Sequence, residues 1–139
     1  MNLHYETVLP LSIYQRLRAS AGWEVLPDQQ AQNGLDSAFC AVCCMDGDTP
    51  AGMLRVMWDG SYSAFMCDVV VDNSYRHMGI ASSMIELAKE KLYAAMQPGW
   101  KVRLFLLSVK EKESFYERCG FTVRPNDEVG AAVEQWLVK

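Results

Sequence analysis

The stretch Asp72–Leu92, DNSYRHMGIASSMIELAKEKL, has a single glycine, Gly79, where a polar loop turns into a helix. Beyond it Ile80, Met84, Leu87, Ala88 and Leu92 fall on one face at helical spacing, with Glu86 and Glu90 on the other side. Before it FMCDVVV, Phe65–Val71, has the apolar character of a strand. A strand, a short loop and a helix make the first two parts of a βαβ unit. The first turn of such a helix leaves backbone N–H groups without partners at the positive end of the helix dipole. A phosphate can satisfy several of them, and a glycine lets it come close. The alternative is a plain turn in which Gly79 only relieves strain. The loop matches neither the P-loop nor the dinucleotide fingerprint, so both readings stay open on these residues alone.

Downstream, KVRLFLLSV, Lys101–Val109, is a nearly continuous apolar run. It is expected to be a central strand covered on both faces. Upstream, AFCAVCCM, PAGMLRVMW and SYSAFMCDVVV are strand-like and are separated by Asp-Gly turns, the pattern of an antiparallel meander. LHYETV predicts a first strand, LSIYQRLRASAG a helix ending at Gly22, and Asp28–Gly34 a short helix. KEKESFYERCG predicts a helix closed by Gly120, FTVR a strand, PNDEVG a turn, and AAVEQWLVK a last strand. The expected order is β-α-α-β-β-β-α-β-α-β-β over one domain, residues 1–139. The fold class is α/β, a mixed and mostly antiparallel sheet of six or seven strands with helices on both faces.

Of the 139 residues half are apolar and 22% charged, ordinary for a globular domain, and no linker or repeat interrupts them. The net charge of −4 argues against a nucleic-acid partner, which needs a basic surface. No apolar run approaches the ~18 residues of a membrane span, and the N-terminus lacks a secretion-signal pattern. The expectation is a soluble cytoplasmic protein without a membrane partner. The five cysteines include a C-x-x-C spacing in CAVCC. In a strand its two ends face opposite sides, and no second pair completes a zinc site, so no metal is expected.

DVVVDNSYRHMGIA closely resembles the acetyl-CoA-binding motif of the GNAT N-acetyltransferase superfamily. An apolar strand ends in Val71, and Arg76, Gly79 and Ala81 stand at the motif's later places. SFYERCGF, Ser114–Phe121, resembles the family's second signature, and the expected element order matches from first strand to last. The resemblance implies acetyl transfer from acetyl-CoA to a small-molecule or peptide amine in a ternary complex. It implies a pyrophosphate held by the backbone of Arg76, His77, Met78, Gly79, Ile80, Ala81 and Ser82, and a pantetheine arm along Val69, Val70 and Val71. Tyr116 would protonate the leaving thiolate. An Asn that many relatives carry after the fifth strand is missing; Lys110–Glu113 stand in that region.

The base for the amine is open. Asp68, the odd residue in an apolar strand, is either a structural partner of Arg55 and backbone N–H groups or a base beside the thioester. Trp23 and Glu24 fall where relatives build the acceptor site, and their character suits a cationic or amphipathic amine. Two other classes remain, a non-catalytic acyl-CoA sensor and a structural α/β interaction domain. A homodimer is also left open.

Overall fold

The computed structural model describes all 139 residues. By internal contacts the chain forms two compact units, Met1–Leu106 and Leu107–Lys139.

The first unit holds β1 (Leu3–Glu6), α1 (Leu11–Ser20), α2 (Asp28–Ser37), β2 (Cys40–Asp46), β3 (Thr49–Trp58), β4 (Ser63–Val71), α3 (Ile80–Ala95) and β5 (Arg103–Phe105). The five strands lie in sequence order, β1-β2-β3-β4-β5. The first three pairings are antiparallel, and β4 and β5 are parallel. The Asp-Gly turns therefore make the expected meander, and α3 makes the crossover between parallel neighbours. Strand alternation sends successive side chains to opposite faces. On one face Cys43, Met45, Met53 and Val70 pack with Leu9, Tyr14, Leu17 and Ala31 from the α1 and α2 side. On the other, α3 lies across β2 and β3. Gly52 allows that approach: a Cβ there would come within 3.2 Å of Ile80 Cγ2 and Met84 Cε, and within 3.0 Å of the Val70 carbonyl. Helices thus cover both faces, as expected.

The second unit contains α4 (Glu113–Arg118) and a turn at 125–130. That turn is fastened by Asn126, whose Oδ1 accepts the N–H groups of Glu128 and Val129, and by Arg124 Nε donating to the Gly130 carbonyl.

The expected strand count is corrected. The sheet has five strands, not six or seven, because FTVR and AAVEQWLVK form no ladder. Apolar patterning makes a segment able to pair, but a strand exists only where a neighbour takes its backbone groups. None does so here, and Val133 and Trp136 stay 93% and 82% exposed. The Lys101–Val109 run is corrected too. Only Arg103–Phe105 pairs, at the edge of the sheet, and Phe105, Leu107 and Val109 are exposed.

Candidate active site

β4 changes its backbone course at Asp68. Met53 faces Val70 and Arg55 faces Cys67, so Asp68 and Val69 together oppose Leu54. This is a β-bulge, and Asp68 takes its left-handed conformation with φ 58°. Asp is among the residues that tolerate that region. The far edge of β4 pairs with β5 only over Ser63–Phe65. From Met66 to Val71 no β5 residue pairs with that edge of β4. Val69 and Val71 are half-buried and Val70 is buried in the α1 side core.

The loop after β4 is built from its own polar residues. Asp72 N–H donates to the Ala51 carbonyl, and Asp72 Oδ1 accepts from Ser74 N–H at 2.9 Å. Tyr75 hydroxyl donates to Asp46 Oδ2 at 2.7 Å, tying the loop to the end of β2. His77 and Gly79 are both left-handed, with φ 63° and 76°. Such turns gather backbone N–H groups into an anion-binding concavity. Gly79 caps α3 without any side-chain hydrogen bond. The N–H groups of Ile80, Ala81 and Ser82 open the helix and have no carbonyl four residues back within it. A Cβ on Gly79 would meet no protein atom within 4 Å, so the space over the helix start is open. Arg76, His77, Met78 and Ser82 are exposed, Ala81 is half-buried, and Ile80 is buried under the helix. The groups that can hold an anion are therefore backbone amides, with the Arg76 charge beside them.

Asp68 sits in an ion-pair cluster. Its Oδ2 accepts from Arg55 Nε at 2.6 Å and from Tyr14 hydroxyl at 2.8 Å, and its Oδ1 accepts from Arg18 Nη1 at 3.3 Å. Burial and this hydrogen bond to a carboxylate push the Tyr14 phenol up from its ordinary value. Arg55 Nη1 also donates to the Gly34 carbonyl inside α2. Gly34 explains its own presence: a Cβ there would lie 3.2 Å from Arg55 Nη1. The geometry is that of a paired carboxylate, filled by two cations and a phenol. Of the two expected acceptor residues, Trp23 lies with its ring 5.6 Å from the Arg18 guanidinium carbon. Glu24 contributes its carbonyl, which accepts from Arg18 Nε at 2.9 Å, while its side chain is exposed. Tyr14 and Arg18 were not singled out as site residues. Their i, i+4 spacing on one helix was the available signal.

In the second unit Tyr116 is buried on α4, edge-on to Phe115 and Phe121 at 5.1 and 6.0 Å. Burial, with a smaller contribution from Cys119, pushes its phenol up to about 12. The hydroxyl makes no hydrogen bond within the protein, yet every enclosed side-chain oxygen or nitrogen has a partner. The ring is therefore packed and the O–H is open and protonated at neutral pH.

Two of the five cysteines are held unreactive by burial. Burial pushes the thiols of Cys43 and Cys67 up to about 11 and about 12, which keeps them protonated and poorly nucleophilic. No group of three or more His, Cys, Asp or Glu side chains is arranged to hold a metal ion. No helix is long and apolar enough to cross a membrane.

A family model described as an acetyltransferase (GNAT) domain matches residues 36–123. No curated protein matches the chain. Among solved structures, a protein of unknown function from methicillin-resistant Staphylococcus aureus is 24% identical, with a TM-score of 0.82, covering 96% of this chain and 99% of that one. Glucosamine-6-phosphate N-acetyltransferase from Arabidopsis thaliana is 13% identical at a TM-score of 0.73, covering 99% and 100%. An aminoglycoside acetyltransferase from an uncultured soil metagenomic sample, in complex with sisomicin, is 16% identical at 0.69, covering 99% and 97%. At these identities the structural likeness speaks for the fold.

Proposed function

This chain belongs to the GNAT acetyltransferase family, and we propose that it transfers an acetyl group from acetyl-CoA directly to an amine. The observation that carries the proposal is the pair of openings at the two ends of one segment: the unpaired edge of β4 and the glycine-capped start of α3. A peptide-like arm ending in a pyrophosphate needs both, in that order. Acetyl-CoA supplies the acetyl group as a thioester, activated toward nucleophiles. The residues of this chain bind and orient it. We assign the backbone amides from Arg76 through Ser82 to the pyrophosphate, with His77 and Met78 contributing main chain only. We assign the main chain of Val69, Val70 and Val71 to the amides of the pantetheine arm. A strand N–H at Val69 would polarise the thioester carbonyl and stabilise the charge that develops on its oxygen.

In the transfer the amine nitrogen bonds to the carbonyl carbon and the carbon–sulfur bond breaks. The nitrogen gives up a proton to water, and the sulfur gains one. We assign the second proton to Tyr116. Burial keeps the Tyr116 phenol protonated, so it enters the step as a donor. Tyr116 donates that proton to the departing sulfur and regains one from water as CoA leaves. Asp68 is assigned to hold Arg55, Arg18 and Tyr14 in place, because all of its nearby donors are already engaged.

Gly79→Val tests the cradle. It places a β-branched side chain in the left-handed region, at a strain of about 1–3 kcal/mol, and a bulky group in the open space. Calorimetric titration is expected to show acetyl-CoA affinity lowered about tenfold or more, with melting lower by roughly 3–10 °C. Unchanged affinity in the folded variant would remove the phosphate assignment.

A further inference from the structure

We propose that the acceptor carries an anionic group close to its amine, and that Arg18, with Arg55 beside it, receives that group. This rests on the acetyl-transfer reading and names the substrate class of the same site. The observation is a charge imbalance. Two guanidinium groups, from α1 and β3, share one carboxylate at the β4 bulge, and the three side chains are only 13%, 15% and 11% exposed. The charged groups that act on Tyr14 are Asp68, Arg55 and Arg18. α2 and the loop after α1 contribute carbonyls, from Gly34 and Glu24, and no carboxylate. One positive charge is left over in a sheltered place, where a lone charge is costly unless something pairs with it.

The leftover charge has free donors. Arg18 uses Nε and Nη1, and Arg55 uses Nε and Nη1. The Nη2 group of each arginine has no partner in the protein and is not enclosed, since every enclosed side-chain nitrogen is bonded. Arg18 is held flat by the rings of Tyr14 and Trp23, 5.8 and 5.6 Å from its central carbon. A planar donor fork fixed on aromatic faces suits a carboxylate, sulfonate or phosphate group. Its place follows from the chain: Asp68 adjoins Val69, where the thioester carbonyl is assigned. An acceptor anchored by its anion would thus bring its amine to the acetyl group. The surplus positive charge also disfavours the ammonium form and leaves more of the attacking neutral amine. A cationic acceptor, the expectation raised by Glu24, would be repelled.

The experiment uses four primary amines on one two-carbon spacer: β-alanine, taurine, propylamine and (2-aminoethyl)trimethylammonium. CoA release is measured with each, beside calorimetric binding of acetyl-CoA. The expected result is a kcat/KM for β-alanine or taurine about tenfold or more above propylamine, with the trimethylammonium compound slowest. Arg18→Gln is expected to erase that preference through KM, with the calorimetric affinity for acetyl-CoA as in the wild type. Arg18→Lys, which keeps the charge and loses the fork, is expected to retain part of it and guards against misfolding of the first variant. A preference for propylamine or the cation, an anion preference that survives Arg18→Gln, or no turnover of any of the four while acetyl-CoA binds would overturn the inference. Failure to bind acetyl-CoA would instead remove the acetyltransferase reading, and the inference with it.

Discussion

Tyr116→Phe is expected to lower kcat about a hundredfold or more while leaving acetyl-CoA affinity within about twofold. The substitution removes one oxygen and keeps the ring that Phe115 and Phe121 pack against. That oxygen has no hydrogen bond within the protein, so its loss strands no partner and costs little stability. The effect therefore falls on the step in which sulfur departs. The same burial that packs the ring keeps the phenol protonated up to about pH 12, so no loss of activity between pH 6 and pH 10 should trace to its ionisation. Steady-state kinetics with saturating acetyl-CoA, beside a calorimetric Kd, separates the two quantities. An unchanged kcat would leave Tyr116 as a packing residue and return the leaving group to water.

Asp68→Asn is expected to destabilise the protein by about 3–5 kcal/mol, because it removes the one negative charge shared by Arg55 and Arg18. For a chain of this length the melting temperature should fall on the order of 10 °C. Asn still accepts the Tyr14 hydroxyl, so the loss reports the uncompensated guanidinium groups. The double variant Asp68→Asn/Arg55→Met should lose less than the two single changes added together, since it removes charge from both sides of one network. Additive losses would show that the carboxylate and Arg55 act independently. If Asp68 served only as a base, melting would hold and kcat alone would fall.

Much of the fold was legible because its signals are local. The Asp-Gly turns, the change of period at Gly79 and the apolar run into Val71 are each written within ten residues or so, and each element followed. The edge position of β5 and the unpaired segments after Gly120 were not legible. Apolar alternation in AAVEQWLVK describes what a strand would bury, and pairing depends on a neighbour that the segment itself does not specify. In the candidate site, the loop at Arg76–Ser82 was marked by one glycine between a strand and a helix, which left a turn and a phosphate cradle both open, and Asp68 stood out as a carboxylate in an apolar strand. The bulge that turns Asp68 toward α1 was hidden, because an extra residue in a ladder shows only against its partner strand. Arg18 and Tyr14 were hidden for the same reason. Their helical spacing looks like ordinary packing until β3 and β4 bring Arg55 and Asp68 to them. Gly34 read as a helix end and proved to be clearance for Arg55 in mid-helix.

That acetyl-CoA seats on β4 and the start of α3 is the proposal on which the rest depends. Its most direct test is a calorimetric titration of the protein with acetyl-CoA, with free CoA and ADP alongside. Saturable binding in the micromolar range is expected for acetyl-CoA and CoA, with weaker binding of ADP, which shares the pyrophosphate but lacks the pantetheine arm, and a melting temperature that rises with ligand. A folded sample that binds neither acetyl-CoA nor CoA would contradict it, and the loop at Gly79 would then be a turn and no more.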